Sequence, residues 1–177
     1  TTVDFTAFNN EGARFGEVPE DLIIAPGVAL AQDLEPEYVA ISDDDSKAYV
    51  TLQENNGVAV IDLQNVSVNN LYALGFKDHS VPGNELDPSD RDGIQDSGAI
   101  TIGNWPVKGM YMPDAIASIN LGGVDYFLTA NEGDARDEDD RIGDLTLDPM
   151  VFPNFASLQL DSQLGRLEAQ TNLGLGS

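Results

Sequence analysis

LEPEYVAISDDDSKAYVTLQENNGVAVIDL, residues Leu34 to Leu63, reads as three strands joined by two turns. Tyr38-Val39-Ala40-Ile41 is a short apolar run. Asp43-Asp44-Asp45-Ser46 interrupts it with residues whose side chains bond their own backbone. Ala48-Tyr49-Val50-Thr51-Leu52 resumes the run. Asn56-Gly57, a pair that tolerates positive φ, then gives the strongest short-range hairpin signal before Val58-Ala59-Val60-Ile61. Asn70-Leu71-Tyr72-Ala73-Leu74 supplies an outer fourth strand. Antiparallel strands at this spacing make the unit from which β-propeller blades are assembled.

The pattern returns downstream. Asp114 to Ile119 is a strand introduced by Met112-Pro113, as Tyr38 is introduced by Pro36-Glu37. Gly122-Gly123 is a tight turn, and Tyr126-Phe127-Leu128-Thr129-Ala130-Asn131 aligns with Ala48 to Gln53. The expected fold is mainly β, a partial β-propeller of about two antiparallel blades carrying long acidic loop insertions. The alternative is a sandwich with two unrelated hairpins.

The expected organisation of 1–177 is one stretch of a propeller domain. Residues 34–75 form a blade, 76–107 a loop insertion, 108–131 part of the next blade, and 132–177 an acidic insertion and tail. Val3 to Phe8 reads as a closing strand, and Trp105 as the residue that packs the insertion onto the sheet. A blade takes about 40–45 residues and a ring at least four blades, so 177 residues read as an internal piece of a longer protein.

Asp and Glu number 31 against 8 Lys and Arg, for a formal net charge of −23. Such a surface repels phosphate backbones, which argues against nucleic-acid binding and against anionic membranes. No apolar run approaches the ~20 residues that span a bilayer, so membrane insertion is not expected. With no Cys there is neither a disulfide nor thiolate chemistry. Clustered carboxylates suit a salty medium, or a hard divalent cation such as Ca²⁺.

In a blade, the loop entering the innermost strand and the loop between the second and third strands emerge on one face. Three acidic segments hold those places and are expected to converge. Glu35 and Glu37 lead into the first inner strand, and the insertion carrying Asp90 and Asp92 leads into the next. Glu132-Gly133-Asp134-Ala135-Arg136-Asp137 leaves the second blade. The candidate metal ligands are therefore Glu35, Glu37, Asp90, Asp92, Glu132, Asp134 and Asp137. Asp90-Arg91-Asp92-Gly93-Ile94-Gln95-Asp96 resembles the front of a calcium loop, but Ala99 stands where an EF-hand has its Glu. The competing reading is an Asp-rich turn capping backbone amides. Lys77, Asp78, His79 and Arg136 are the candidates for catalysis or for neutralising a phosphate. His79 is the sole histidine, so a multi-His zinc site is excluded. There is no Gly-rich phosphate loop, GxSxG or HExxH.

DLEPEYVAIS (33–42), AYVTLQENNGVAVIDL (48–63), LGFKDHSVPGNELDPSDRDG (74–93), NWPVKGMYMPDAIAS (104–118) and TANEGDARDED (129–139) closely resemble the choice-of-anchor I group of bacterial exported proteins. Members of that group are often labelled alkaline-phosphatase-like, and their propeller resembles those of YncE-like and surface-layer repeat proteins. The resemblance implies an exported protein, whether secreted, periplasmic or on the cell surface, and a chain that continues beyond this piece. Its motifs fall on Glu35, Glu37, Lys77, Asp78, His79, Asp90, Arg91, Asp92, Glu132, Asp134, Arg136 and Asp137.

Three functions are expected in order. The first is binding of a divalent cation, a small molecule or a surface ligand through acidic loops on one face. The second is a metal-dependent phosphoesterase of alkaline-phosphatase type, in which Lys77, Arg91 or Arg136 would offset phosphate charge. The third is a structural cell-surface spacer. The remainder of the parent propeller is an expected partner, and open sheet edges make self-association another.

Overall fold

The computed structural model of the chain describes residues 2–133, 136 and 139–173. The chain is mainly β, with antiparallel sheets. The strands are β1 Pro36–Ile41, β2 Lys47–Leu52, β3 Gly57–Asp62, β4 Ser67–Ala73, β5 Phe76–Asp78, β6 Lys108–Met110, β7 Pro113–Leu121, β8 Val124–Asn131, β9 Asp139–Arg141 and β10 Glu168–Gln170. Two single-turn helices, α1 Leu30–Asp33 and α2 Phe155–Leu158, complete the regular elements with a few 3₁₀ turns. Two compact units divide the chain. One comprises Thr1–Phe76 and Met110–Asp134, the other Lys77–Gly109 and Ala135–Ser177.

In the first unit β1-β2-β3-β4 form one sheet in chain order, the up-and-down connectivity of a propeller blade. The Asp43–Ser46 segment does turn the chain, because Asp44 Oδ1 accepts from the Ser42 hydroxyl (2.7 Å) and the Ser46 amide (3.0 Å). Hydrogen bonding from the Ser46 side chain first, then from the Ser42 hydroxyl and the Ser46 amide, holds the Asp44 carboxyl down at about 2. The Asn56-Gly57 turn differs from the expected two-residue form. Leu52 pairs with Gly57, so residues 53–56 form the loop and Gly57 opens β3. Only Asn56 is left-handed, at φ 51°. Gly57 is needed for closeness instead: a Cβ there would lie 2.4 Å from Leu22 Cδ1 and 2.8 Å from the Tyr72 carbonyl.

β3 is buried on both faces. One face carries Ala48, Leu52, Ala59, Ile61, Val68 and Leu71, covered by Phe8, Leu22, Leu30 and Leu34 of the N-terminal segment. Val3–Phe8 is therefore not a strand. Thr6–Phe8 is a 3₁₀ turn that buries Phe8, and Arg14 stacks over its ring at 4.4 Å while donating to the Asn69 carbonyl. The other face, Tyr49, Val58 and Val60, is covered by Ile116 and Phe127 from the β7–β8 hairpin. Tyr49 and Phe127 lie 5.6 Å apart between ring centroids. Burying side chains such as Leu52 and Val58, both at 0 % exposure, contributes about 1.5–3 kcal/mol each.

The hairpin repeats the geometry of β1–β2. Pro36 faces Leu52 and Val39 faces Val50, so β1 carries one extra residue between those pairs. Pro113 faces Asn131 and Ile116 faces Thr129, with the same extra residue at the same place. These ladders make Val50 the equivalent of Thr129, one position away from the alignment read in sequence. A one-residue offset exchanges the faces of a strand. Phe127, not Tyr126, is thus the aromatic packed on the first sheet.

Two buried asparagines tie these layers together. Asn55 Nδ2 donates to the Ile23 carbonyl (2.8 Å) and to Asp33 Oδ2 (3.1 Å), and its Oδ1 accepts from the Glu35 amide. Asn56 Nδ2 donates to the Gly75 carbonyl (2.8 Å), while its Oδ1 accepts from the amides of Tyr111 (2.9 Å) and Met112 (3.1 Å). Asn56 thereby fixes the end of the first sheet to the entry of the hairpin.

In the second unit β9 pairs with β10, and Ile142, Leu158 and Leu164 form a small core. Trp105 belongs to that core with Val107, Phe152 and Leu167, and its Nε1 donates to the Leu86 carbonyl. The insertion and the C-terminal segment thus build an apolar centre of their own, and Trp105 packs there. Among the described residues after 155, the chain forms the end of α2 and the short strand β10.

Candidate acidic loop sites

Glu35 and Glu37 flank Pro36 and are exposed, as expected of an extended X-Pro stretch. Glu132 follows β8, and its Oε2 accepts from Gln53 Nε2 (3.2 Å). The Glu35 amide binds Asn55, so Glu35 and Glu132 are both tied to the 53–56 loop. Within this unit the blade grammar does bring two of its acidic segments to one end of the sheet.

Asp90 and Asp92 lie in the second unit, on a loop anchored to the 158–166 segment. Arg166 Nε donates to Asp90 Oδ1 at 2.5 Å, and that guanidinium holds the Asp90 carboxyl below the usual range. The Ser89 hydroxyl donates to the Asp161 carbonyl, and Arg91 pairs with the Asp161 carboxylate at 3.6 Å. The loop then closes tightly on itself. Gln95 and Asp96 are both left-handed, with φ of 60° and 55°. Gly98 is left-handed too, and a Cβ there would lie 2.9 Å from the Asp90 carbonyl. Gly93 would meet the Gly98 carbonyl at 2.4 Å.

Asp92 sits inside this closure. Its Oδ1 accepts from the Ala99 amide at 2.6 Å. The Thr101 hydroxyl and then that amide lower its carboxyl below the usual range. Its Oδ2 is enclosed with no hydrogen-bond partner. Arg166 and Asp161, which position the loop, lie some seventy residues away in the chain (166 against 90, 161 against 91). No local sequence signal marks them.

Lys77 and Asp78 end β5, and the Ser80 hydroxyl, then its amide, holds the Asp78 carboxyl low. His79 is buried, and its Nδ1 lies 2.7 Å from the Asn84 carbonyl. A carbonyl only accepts, so Nδ1 is the donor in this contact. Nε2 faces Gly109, where a Cβ would come within 2.8 Å. The His79 backbone is bonded on both sides, to Val107 and Trp105. Arg136 is buried in the second unit, its amide 3.4 Å from Gln170 Oε1. Asp134 and Asp137 lie outside the described residues. Among the described residues no three His, Cys, Asp or Glu side chains are close enough to share an ion.

A blade-like antiparallel sheet with a stacked hairpin and long acidic insertions defines a class of repeat-built β domain. A family model described as the choice-of-anchor I domain matches residues 1–176, and the chain belongs to that family. The membership carries an exported or cell-surface setting with it. No curated protein and no solved structure matches the chain significantly. Among the described residues no helix is long and apolar enough to cross a membrane.

Proposed function

We propose that the chain is a propeller segment of an exported protein that binds a divalent cation through its acidic loops, with the Asp87–Thr101 loop as the ion site. The enclosed, unpartnered Asp92 Oδ2 carries this reading. A carboxylate oxygen in that position favours a donor or a hard cation as its partner. Asp90 is already matched by Arg166. The ion would therefore draw on Asp92 together with backbone carbonyls and water, a donor set made of oxygen alone. That chemistry favours Ca²⁺ over zinc. The loop's repeated left-handed residues and glycine contacts support a pre-formed cradle.

Calcium titration followed by thermal unfolding tests the reading. Ca²⁺ raises the midpoint of the unaltered chain by mass action, and Asp92→Asn reduces that rise. A midpoint indifferent to Ca²⁺, or an equal rise in Asp92→Asn, defeats it.

A further inference from the structure

We propose that the open edge of β8 is a strand-addition site, which takes an extended peptide segment apolar on both faces in antiparallel register. The internal repeat carries the argument. β2 has β1 on one side and β3 on the other. Its equivalent β8 has β7 on one side and, among the described residues, no strand on the other. The Gly122-Gly123 loop, with φ of 62° and 86°, joins Leu121 to Val124 as a closing pair. In a two-residue hairpin that pair is hydrogen-bonded, and bonding alternates along the ladder. Val124, Tyr126 and Leu128 therefore bond to β7. Asp125, Phe127 and Thr129 point their N–H and C=O groups at the open edge.

The chemistry of the occupant follows from the two faces it would extend. One face bears Phe127, packed on Tyr49, and Asp125, whose carboxylate meets Lys47 Nζ at 3.1 Å. The other bears Ile119, Leu121, Val124, Tyr126 and Leu128, each at least 40 % exposed. In the first sheet the equivalent edge is filled by β3, whose Val58-Ala59-Val60-Ile61 run is buried on both sides. A long edge strand whose one charged side chain, Asp125, is already matched by Lys47 is a template on which added strands pair. The segment is a peptide strand and not a second folded copy, because two chains of formal charge −23 repel one another.

The test is hydrogen exchange on the whole chain, alone and with a synthetic peptide of the Gly57–Leu63 sequence, GVAVIDL, flanked by lysines. A peptide N-methylated at alternate residues of its pairing edge serves as control. The expected result is selective. Without peptide, the Asp125, Phe127 and Thr129 amides exchange at least ~10-fold faster than those of Tyr126 and Leu128. Saturating peptide slows those three by a similar factor, and the N-methylated peptide does not. Three outcomes overturn the proposal: equal protection of all five amides in the free chain, protection that depends on chain concentration alone, or no change with peptide. Thr129→Pro, which removes an outward N–H from an edge, abolishes the effect in a chain whose far-UV spectrum is unchanged. Peptide-induced slowing of the Asp125 and Phe127 amides that persists in this variant also overturns it.

Discussion

Replacing Asn56 by Gly isolates what joins the first sheet to the stacked hairpin. The side chain is fully buried and makes three hydrogen bonds, to the Gly75 carbonyl and from the Tyr111 and Met112 amides. Gly accepts the φ of 51° without strain, so the variant removes the bonds and leaves the backbone alone. Each bond is worth about 1 kcal/mol net, and up to about 2 where its partner is left buried and unpaired. Asn56→Gly should therefore cost about 3–6 kcal/mol, a large part of a typical domain's 5–15 kcal/mol. Asn56→Ala should cost about 1 kcal/mol more, because a Cβ disfavours the left-handed region. Asn56→Asp keeps both acceptor bonds, loses the donor and buries a charge, so it is also destabilised. Urea unfolding followed by far-UV circular dichroism, with exchange rates of β1–β4 amides as a second probe, measures these differences. Asn56→Gly within about 1 kcal/mol of the parent, or Asn56→Ala more stable than Asn56→Gly, would refute the clasp.

Four further outcomes are expected. Leu52→Ala opens the centre of the first unit and lowers stability by about 2–5 kcal/mol in urea unfolding. Gly109→Ala forces a methyl to within 2.8 Å of His79 Nε2 and costs about 1–3 kcal/mol; the penalty shrinks when His79→Ala is added, as a double-mutant cycle shows. The Lys47–Asp125 pair is solvent-screened, so a double-mutant cycle should find only a small coupling that falls with added salt. Asp44, Asp62, Asp78 and Asp125 all have carboxyls lowered in the folded state by hydrogen bonds, the first to about 2. A lowered carboxyl stabilises the fold above its unfolded value, and that contribution fades as pH falls towards the folded value. Melting temperature should thus decline between about pH 4 and pH 2, and Asp44→Asn should flatten part of that decline.

The strands were legible because their signals are local. Period-two apolar runs, the Asp43–Ser46 turn and Gly122-Gly123 act over a few residues, and each does in space what its chemistry suggests. The roles of Asn55 and Asn56 were hidden, since their partners lie from 19 to 56 positions away along the chain (Gly75, Asp33, Ile23, Tyr111 and Met112). The one-residue offset between the two hairpins was hidden for a related reason. Tyr126 and Phe127 are both good strand residues, and only the bulge after Pro113 decides which one faces the first sheet. The N-terminal segment reads as polar and irregular, yet a few well-spaced residues, Phe8, Leu22 and Leu30, suffice to cover a sheet face. The acidic loops were legible as loops. Which carboxylate is matched was not: Asp90 has its Arg166 and Asp92 has an orphaned oxygen, and that depends on how distant segments meet.

The claim on which the rest stands is that a second hairpin repeats the first and lies against it. Proton–proton cross-relaxation by NMR between the Tyr49 ring and the side chains of Phe127 and Ile116 measures it directly. The account predicts strong cross-peaks for both pairs and none from Tyr49 to Tyr126, whose side chain points the other way. Cross-peaks within each hairpin but none between Tyr49 and Phe127 or Ile116 would contradict it.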